Sequence, residues 1–112
     1  MTRGDVVLTL FPNSDLITAK LRPALVVQRD GLQSGLSQVV LAAITSQMGR
    51  AGHPSRVAVL VLTPAGKAAG LVVDSVVMTD NLVTVNASVV SRLIGRMPMT
   101  DVDAALRYTL NL

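Results

Sequence analysis

The chain contains 112 residues (11.7 kDa), half of them hydrophobic and only 2% aromatic, with ten cationic and seven acidic residues and a net charge of +3. This length suits one domain, and the apolar content excludes an intrinsically disordered chain. The absence of cysteine excludes disulfide bonds, thiolate metal sites and a cysteine nucleophile. We expect a single cytoplasmic domain over residues 1–112, because the sequence shows neither a secretory signal nor an unbroken apolar stretch that could span a membrane.

Six short apolar runs, rich in β-branched residues and bounded by turn-forming residues, predict strands. They are residues 4–10, 22–28, 38–45, 56–63, 71–79 and 90–96. The short spacing between them disfavours crossover helices and a parallel sheet, and it favours a small antiparallel β-barrel. The longest connections, residues 11–21 and 46–55, are polar and contain Pro or Gly, and loops of this kind often carry function.

The last segment is predicted to be helical. Thr100 is a candidate N-cap, and Asp101 and Asp103 suit the positive N-terminal end of a helix. The apolar stripe consists of Val102, Leu106 and Leu110. We expect this stripe to pack against the barrel, so that the fold class is all-β with a C-terminal helix.

The cations are biased toward arginine. Eight of the ten are Arg, whereas all seven acids are Asp, and the isoelectric point is near 10.2. The planar guanidinium suits phosphate oxygens, which makes nucleic acid a reasonable partner. The alternative is that the bias reflects only the codon usage of a GC-rich genome.

Few side chains could support catalysis. His53 is the one imidazole and Glu is absent, so a histidine-based metal site or a Ser-His-Asp triad could be built only around that residue. It lies in a Gly-flanked loop, where a solvated side chain is the default. Gly66-Lys67 lacks the flanking Gly and Ser/Thr of a phosphate-binding loop. We therefore expect no metal and no cofactor.

The remaining chemistry is one in which the substrate supplies the nucleophile. The 2'-OH of RNA can attack the adjacent phosphate if a protein positions it and stabilises the added negative charge. Arg22 begins the second predicted strand and Thr45-Ser46 ends the third, and such ends can meet at one rim of an antiparallel sheet. The alternative is that Arg22 is a solvated charge and Thr45 an ordinary strand former.

Nearly the whole chain carries short motifs in a fixed order. They are Arg3-Gly4-Asp5-Val6-Val7, Phe11-Pro12, Lys20-Leu21-Arg22-Pro23-Ala24-Leu25-Val26-Val27, Ala43-Ile44-Thr45-Ser46-Gln47, Asp74-Ser75-Val76-Val77, Thr79-Asp80-Asn81, Val83-Thr84-Val85 and Ile94-Gly95-Arg96. In this order and spacing they resemble the MazF/PemK family of toxin endoribonucleases.

The resemblance implies a fold and an activity. The fold would be a small SH3-like antiparallel β-barrel with a C-terminal helix, assembled as a homodimer. The activity would be metal-independent, sequence-selective cleavage of single-stranded RNA through 2'-OH attack, inhibited by a cognate antitoxin. The fold is also similar to that of the CcdB toxins, so the alternative function is a non-catalytic toxin that acts on a protein target such as DNA gyrase.

The resemblance also assigns catalytic residues. Arg22 and Thr45 match the family's catalytic arginine and hydroxyl residue, and Ser46 adjoins them. Arginine is a poor proton acceptor, so we assign Arg22 to stabilisation of the phosphorane and leave the general base open.

Three further residues are predicted to bind RNA. Lys20 and Gln47 flank the catalytic residues in the sequence, and Lys20 is expected to contact a backbone phosphate. Some family members carry an Arg-x-Asp pair in the fifth strand. Asp80 matches the acid of that pair, whereas Met78 replaces its arginine.

Overall fold

A computed structural model describes residues 1–12, 15 and 17–112, with the side chain of Pro12 left out. In chain order, the elements are β1 (Asp5–Pro12), β2 (Ala19–Val26), β3 (Gln38–Thr45), β4 (Arg56–Val59), α1 (Pro64–Ala69), β5 (Ser75–Asn86), β6 (Val90–Arg96) and α2 (Thr100–Leu110). Two 3-10 turns, Met48–Arg50 and Ala87–Val89, follow β3 and β5. No helix among these described residues is long and apolar enough to cross a membrane.

The predicted fold class is confirmed, with differences at several element ends. β4 ends at Val59 instead of residue 63, because Thr63 caps α1 by accepting a hydrogen bond from the Gly66 amide and Pro64 suits the first turn. This helix was missed in the sequence, although its N-cap Thr and C-terminal Gly70 (φ +73°) are both visible there. The fifth strand begins later and runs further than the predicted range 71–79.

The C-terminal segment is helical as predicted, but its N-cap is not the predicted residue. Met99 is the N-cap of α2, and its carbonyl accepts the first helical hydrogen bond from the Asp103 amide, so Thr100 is the first helical residue instead. Val102 is buried and Leu106 half-buried, as the apolar stripe predicts, whereas Leu110 is exposed.

The strands form one antiparallel sheet in the order β4-β5-β3-β2-β1-β6. Within the described residues this ladder ends at β4 and β6, so it is an open sheet instead of a closed barrel. Helix α2 packs against β4 and β5, and α1 packs against β6. A Cβ at Gly95 would overlap the backbone of Ala69, which is why β6 carries a glycine where α1 approaches.

Side-chain alternation gives the sheet two apolar faces. On the helical face, side chains of β1–β3 pack in one buried cluster with a side chain from each helix. The strand residues are Val6, Leu25, Ala42 and Ile44, and the helix residues are Ala69 of α1 and Val102 of α2. The second face has its own buried cluster, which half-buried side chains of β5 and β6 help to cover: Val7, Ala24, Val26, Val39 and Leu41. Arg22 and Thr45 continue the alternation of this second face. Thr45 ends β3 as predicted, whereas β2 begins at Ala19, so Arg22 lies within β2 instead of at its start.

One irregularity interrupts β5. Ala42 pairs with Leu82, whereas the next residue of β3, Ala43, pairs with Met78. Three residues of β5 therefore have no counterpart in β3, and we call this segment, Thr79–Asn81, the β5 bulge. Bulges of this kind bend a strand and redirect its side chains.

Candidate functional site

Arg22 and Thr45 lie on the neighbouring strands β2 and β3, just beyond the last pair of the ladder between them. The ladder pairs Ala24 with Ala43, and two further residues along each strand lead to Arg22 and Thr45. The two side chains project from the same face, because each residue lies two positions along its strand from one of the paired alanines. Both line the same two cavities, so the structure brings the two predicted catalytic residues together.

The first cavity, of about 500 Å³, is an open depression on the second face. Its polar lining comes from Arg22, Thr45, Gln47, Arg50 and Asn81. Its apolar lining includes Phe11 and Met78. Two guanidinium groups beside apolar surface give a depression that can hold a phosphate and a base side by side.

The second cavity, of about 270 Å³, lies on the other side of Arg22 and Thr45. Lys20, Ser46 and Gln47 line it together with half-buried Leu71 and exposed Val72 and Val73. Five of the six residues proposed from the sequence therefore line one or both cavities around the Arg22–Thr45 pair. Asp80 lines neither of them.

The Thr45 hydroxyl is oriented by the turn that follows β3. The Gln47 amide donates a hydrogen bond to Thr45 Oγ1 over 3.2 Å, and the side chain of Thr45 is half-buried. Because Oγ1 accepts this bond, its own proton can be donated to a substrate oxygen. The same turn carries the exposed Ser46 and Gln47 toward the second cavity.

Asp80 is paired with an arginine from the neighbouring strand. Its Oδ2 lies 2.7 Å from Arg56 Nη2 and its Oδ1 lies 3.4 Å from Arg56 Nε. This pairing holds the pKa of the Asp80 carboxyl below its usual value and raises the pKa of Arg56. Arg56 is the register partner of Met78, so the carboxylate of Asp80 is paired with an arginine of β4 instead of one at position 78.

The β5 bulge is held by hydrogen bonds to two other elements. The amide and hydroxyl of buried Thr79 both donate to the Ser55 carbonyl, over 3.0 and 2.6 Å. Thr79 Oγ1 also lies 2.7 Å from Thr109 Oγ1 of α2, so the Thr109 hydroxyl is the donor in that pair. These contacts fix the bulge beside the loop before β4.

His53 lies outside both cavities. Its Nδ1 accepts from the Ser55 amide (3.2 Å) and lies 2.6 Å from Ser55 Oγ, and its ring meets Tyr108 edge-on at 5.9 Å between centroids. Within the described part of the chain, no three His, Cys, Asp or Glu side chains gather where they could hold a metal ion.

Sequence reasoning missed Arg50, Asn81 and Arg56. Arg50 lies in the loop over 46–55 that was expected to carry function, and Asn81 lies in one of the matching motifs, so both had a general signal. Arg56 had none, because its partner Asp80 is 24 residues away and only the strand register joins them.

Comparison with known proteins finds similarity to one toxin family along nearly the whole chain. The family model described as "PemK-like, MazF-like toxin of type II toxin-antitoxin system" matches residues 2–110. The chain is 36% identical over 107 residues to the endoribonuclease MazF6 of Mycobacterium tuberculosis (strain H37Rv), covering 92% of this chain and 90% of that protein. It shows the same identity and coverage with the endoribonuclease MazF2 of Mycobacterium bovis.

Solved structures show the same fold. The Mycobacterium tuberculosis toxin MazF-mt6 superposes with a TM-score of 0.71 at 26% identity, with 98% of each chain covered. A mycobacterial endoribonuclease in complex with its cognate antitoxin superposes with a TM-score of 0.75 at 21% identity, covering all of this chain and 96% of that one.

Proposed function

The chain belongs to the family of PemK-like, MazF-like toxins of type II toxin-antitoxin systems, and from this we propose that it cleaves single-stranded RNA at selected sequences without a metal ion. The observation that carries the proposal is that Arg22 and Thr45 line one open cavity, which Arg50 and Gln47 also line. The endoribonuclease relatives favour this function over a CcdB-like action on a protein target.

The reaction we propose is an internal transfer at one phosphate. The 2'-oxygen forms a bond to phosphorus as its proton is removed, and the bond from phosphorus to the 5'-oxygen breaks. The leaving oxygen takes up a proton, so the products carry a 2',3'-cyclic phosphate and a 5'-OH. No water, redox partner or metal ion is needed to balance this step.

Each catalytic residue has a separate role in the proposal. Arg22 binds the non-bridging phosphate oxygens and stabilises the phosphorane. Thr45 donates its hydroxyl proton to an oxygen of the same phosphate, and Ser46 adds a second hydroxyl on the side of the second cavity. The residue that removes the 2'-OH proton is not assigned.

Contacts to the rest of the RNA come from both cavities. Lys20 and Gln47 are exposed and suit a neighbouring phosphate and a base edge. Asp80 belongs to the RNA-binding region through the β5 bulge, whose last residue, Asn81, lines the first cavity.

We also propose that the active unit is a homodimer. Apolar side chains beside the second cavity are exposed in the single chain, with Val72 91%, Val73 51% and Leu21 48% accessible. Burial of such a patch against a second copy about a two-fold axis is the commonest solution. A dimer would place two Arg22–Thr45 pairs in one assembly and double the net charge.

The proposed partner is a cognate antitoxin in the cytoplasm. A mycobacterial relative is known in complex with its cognate antitoxin, and a Deinococcus radiodurans MazF is known with MazE. A flexible acidic segment of the antitoxin would compete with RNA for the cationic cavities.

The function can be tested with purified protein and a synthetic single-stranded RNA in EDTA. We expect discrete fragments that end in 2',3'-cyclic phosphate and 5'-OH. A substrate with one 2'-deoxy sugar at the scissile position should resist cleavage, and its cleavage would exclude 2'-OH attack. Intact RNA together with binding to gyrase would favour the CcdB-like alternative.

A further inference from the structure

Arg56 joins two irregular segments that border the first cavity. It holds the Asp80 carboxylate through Nη2 and Nε, and its Nη1 donates to the Arg50 carbonyl over 3.3 Å. Asp80 precedes Asn81 in the β5 bulge, and Arg50 is the last residue of the turn Met48–Arg50. Both Arg50 and Asn81 line the first cavity, whereas Arg56 does not.

We propose that Arg56 is a positioning residue for RNA binding, which fixes Arg50 and Asn81 at the first cavity by holding Asp80 and the Arg50 carbonyl together. The inference rests on the proposed RNA cleavage and adds to it the means by which one side of the RNA site is ordered. Arg56 and the two groups that it joins, Asp80 and the Arg50 carbonyl, are named the Arg56 clamp.

The clamp replaces hydrogen bonds that a regular ladder would provide. The β5 bulge has no counterpart in β3, and within the described chain the turn Met48–Arg50 is held by only two backbone hydrogen bonds, from Arg50 N to Gln47 O and from Ala51 N to Met48 O. A guanidinium that spans the two segments fixes their spacing, because its planar fork donates in set directions. The lowered pKa of Asp80 agrees with a carboxylate that stays charged within this contact.

The clamp acts on binding rather than on the chemical step. Arg22 and Thr45 are carried by β2 and β3, whose pairing does not include any clamp residue. Loss of the clamp should therefore raise KM for RNA and leave kcat within about twofold of wild type.

Replacing Asp80 separates this proposal from a simple electrostatic role. Asp80→Asn removes a negative charge from beside the binding region of a polyanion, so charge alone predicts tighter RNA binding. The clamp predicts weaker binding. An asparagine at position 80 has one acceptor oxygen and no negative charge, so it cannot replace the two-oxygen contact that Asp80 makes with the Arg56 guanidinium. The sign of the change in KM thus decides between the two.

The experiment measures kcat and KM for cleavage of one defined RNA by wild type, Arg56→Gln, Asp80→Asn and the double variant. We expect each single variant to raise KM about tenfold, the scale of losing a charge-assisted hydrogen bond. The double variant should be no worse than either single variant, because all three lose the same contact. Arg56→Lys, which keeps the charge and one donor, should recover part of the loss.

The chain offers a matched control in Arg3→Gln. Arg3 pairs with Asp103 at 2.6 Å, its Nε donates to the Val27 carbonyl, and the pair is as exposed (27% and 35%) as Arg56 and Asp80 (21% and 34%). Arg3 lines neither cavity. We expect Arg3→Gln to lower the melting temperature about as much as Arg56→Gln while leaving KM unchanged.

The outcomes distinguish the inference from the function beneath it. If the wild type does not cleave RNA, the proposed function fails first. If the wild type cleaves and Asp80→Asn lowers KM or leaves it unchanged, the clamp is wrong. Equal kinetic losses in Arg56→Gln and Arg3→Gln would also overturn it, since the effect would then follow stability alone. Should Arg56→Gln not fold, Asp80→Asn and Arg56→Lys give the same decision.

Discussion

The two sides of the first cavity are built in different ways. Arg22 and Thr45 lie in regular strands and are each paired with a residue of another strand, Arg22 with Thr9 of β1 and Thr45 with Val76 of β5, so backbone pairing sets their positions. Arg50 and Asn81 lie on a turn and a bulge, and side-chain hydrogen bonds set their positions instead. A single substitution can change side-chain contacts, whereas it does not change the strand register. One site can therefore keep its catalytic pair fixed while the residues that recognise RNA are repositioned by substitution.

The largest effect is expected on the strand-held side. Arg22→Ala should lower kcat by at least about a hundredfold, because it removes one preorganised donor from the phosphorane. Thr45→Ala should act in the same direction but less strongly. Single-turnover cleavage measures the effect, and circular dichroism confirms that each variant is folded. Wild-type cleavage by Arg22→Ala would show that the mechanism is assigned to the wrong residues.

A smaller effect is expected where the bulge is anchored. Thr79→Val keeps the side-chain volume but removes the hydroxyl that donates to the Ser55 carbonyl and accepts from Thr109. We expect the free energy of unfolding to fall by about 1–3 kcal/mol and KM to rise, with kcat nearly unchanged. Urea denaturation and steady-state kinetics check both parts. A fall in kcat as large as that of Arg22→Ala would mean that the two sides are not independent.

The electrostatic part of the Arg56 clamp should depend on pH. The pKa of Asp80 is lowered in the folded chain by its hydrogen bond to Arg56. The stabilisation of the folded state by this contact is therefore fully present above the ordinary pKa of an aspartate, about 3.9. It is lost as the pH falls through the lowered pKa. The difference in melting temperature between wild type and Asp80→Asn should therefore be constant near neutrality and shrink in acid below about pH 4. A difference that grows in acid would contradict this assignment.

The smallest effect is expected at His53. It lies outside both cavities and contacts Ser55 and Tyr108, so His53→Gln should keep most of the cleavage activity. Steady-state cleavage of the same RNA provides the measurement. A loss of about a hundredfold would instead make His53 the leading candidate for the unassigned base.

The strand-held side could be predicted from sequence, whereas the other side could not. Alternating apolar residues identify β2 and β3, and Thr45 ends β3 as predicted. The predicted position of Arg22 at a strand end is wrong, because β2 begins at Ala19. The β5 bulge depends on a register shift between Ala42 and Ala43, which no local pattern encodes. Arg56 acquires its role only from that register, so an isolated arginine in a short strand gave no indication of it. The short helix α1 was missed because a valine-rich run leads directly into its cap.

The position of β1 between β2 and β6 has a consequence for synthesis of the chain. Val6 pairs with Leu25 early in the chain and with Gly95 near its other end. At roughly 5–20 residues per second, the 70 residues from the end of β2 to the end of β6 take roughly 4–14 s to translate. During that interval one edge of β1 stays unpaired, and the β5 bulge and its anchor on α2 do not yet exist. A nascent chain therefore carries Arg22 and Thr45 well before the strand that completes the sheet and the helix that anchors the β5 bulge have been synthesised.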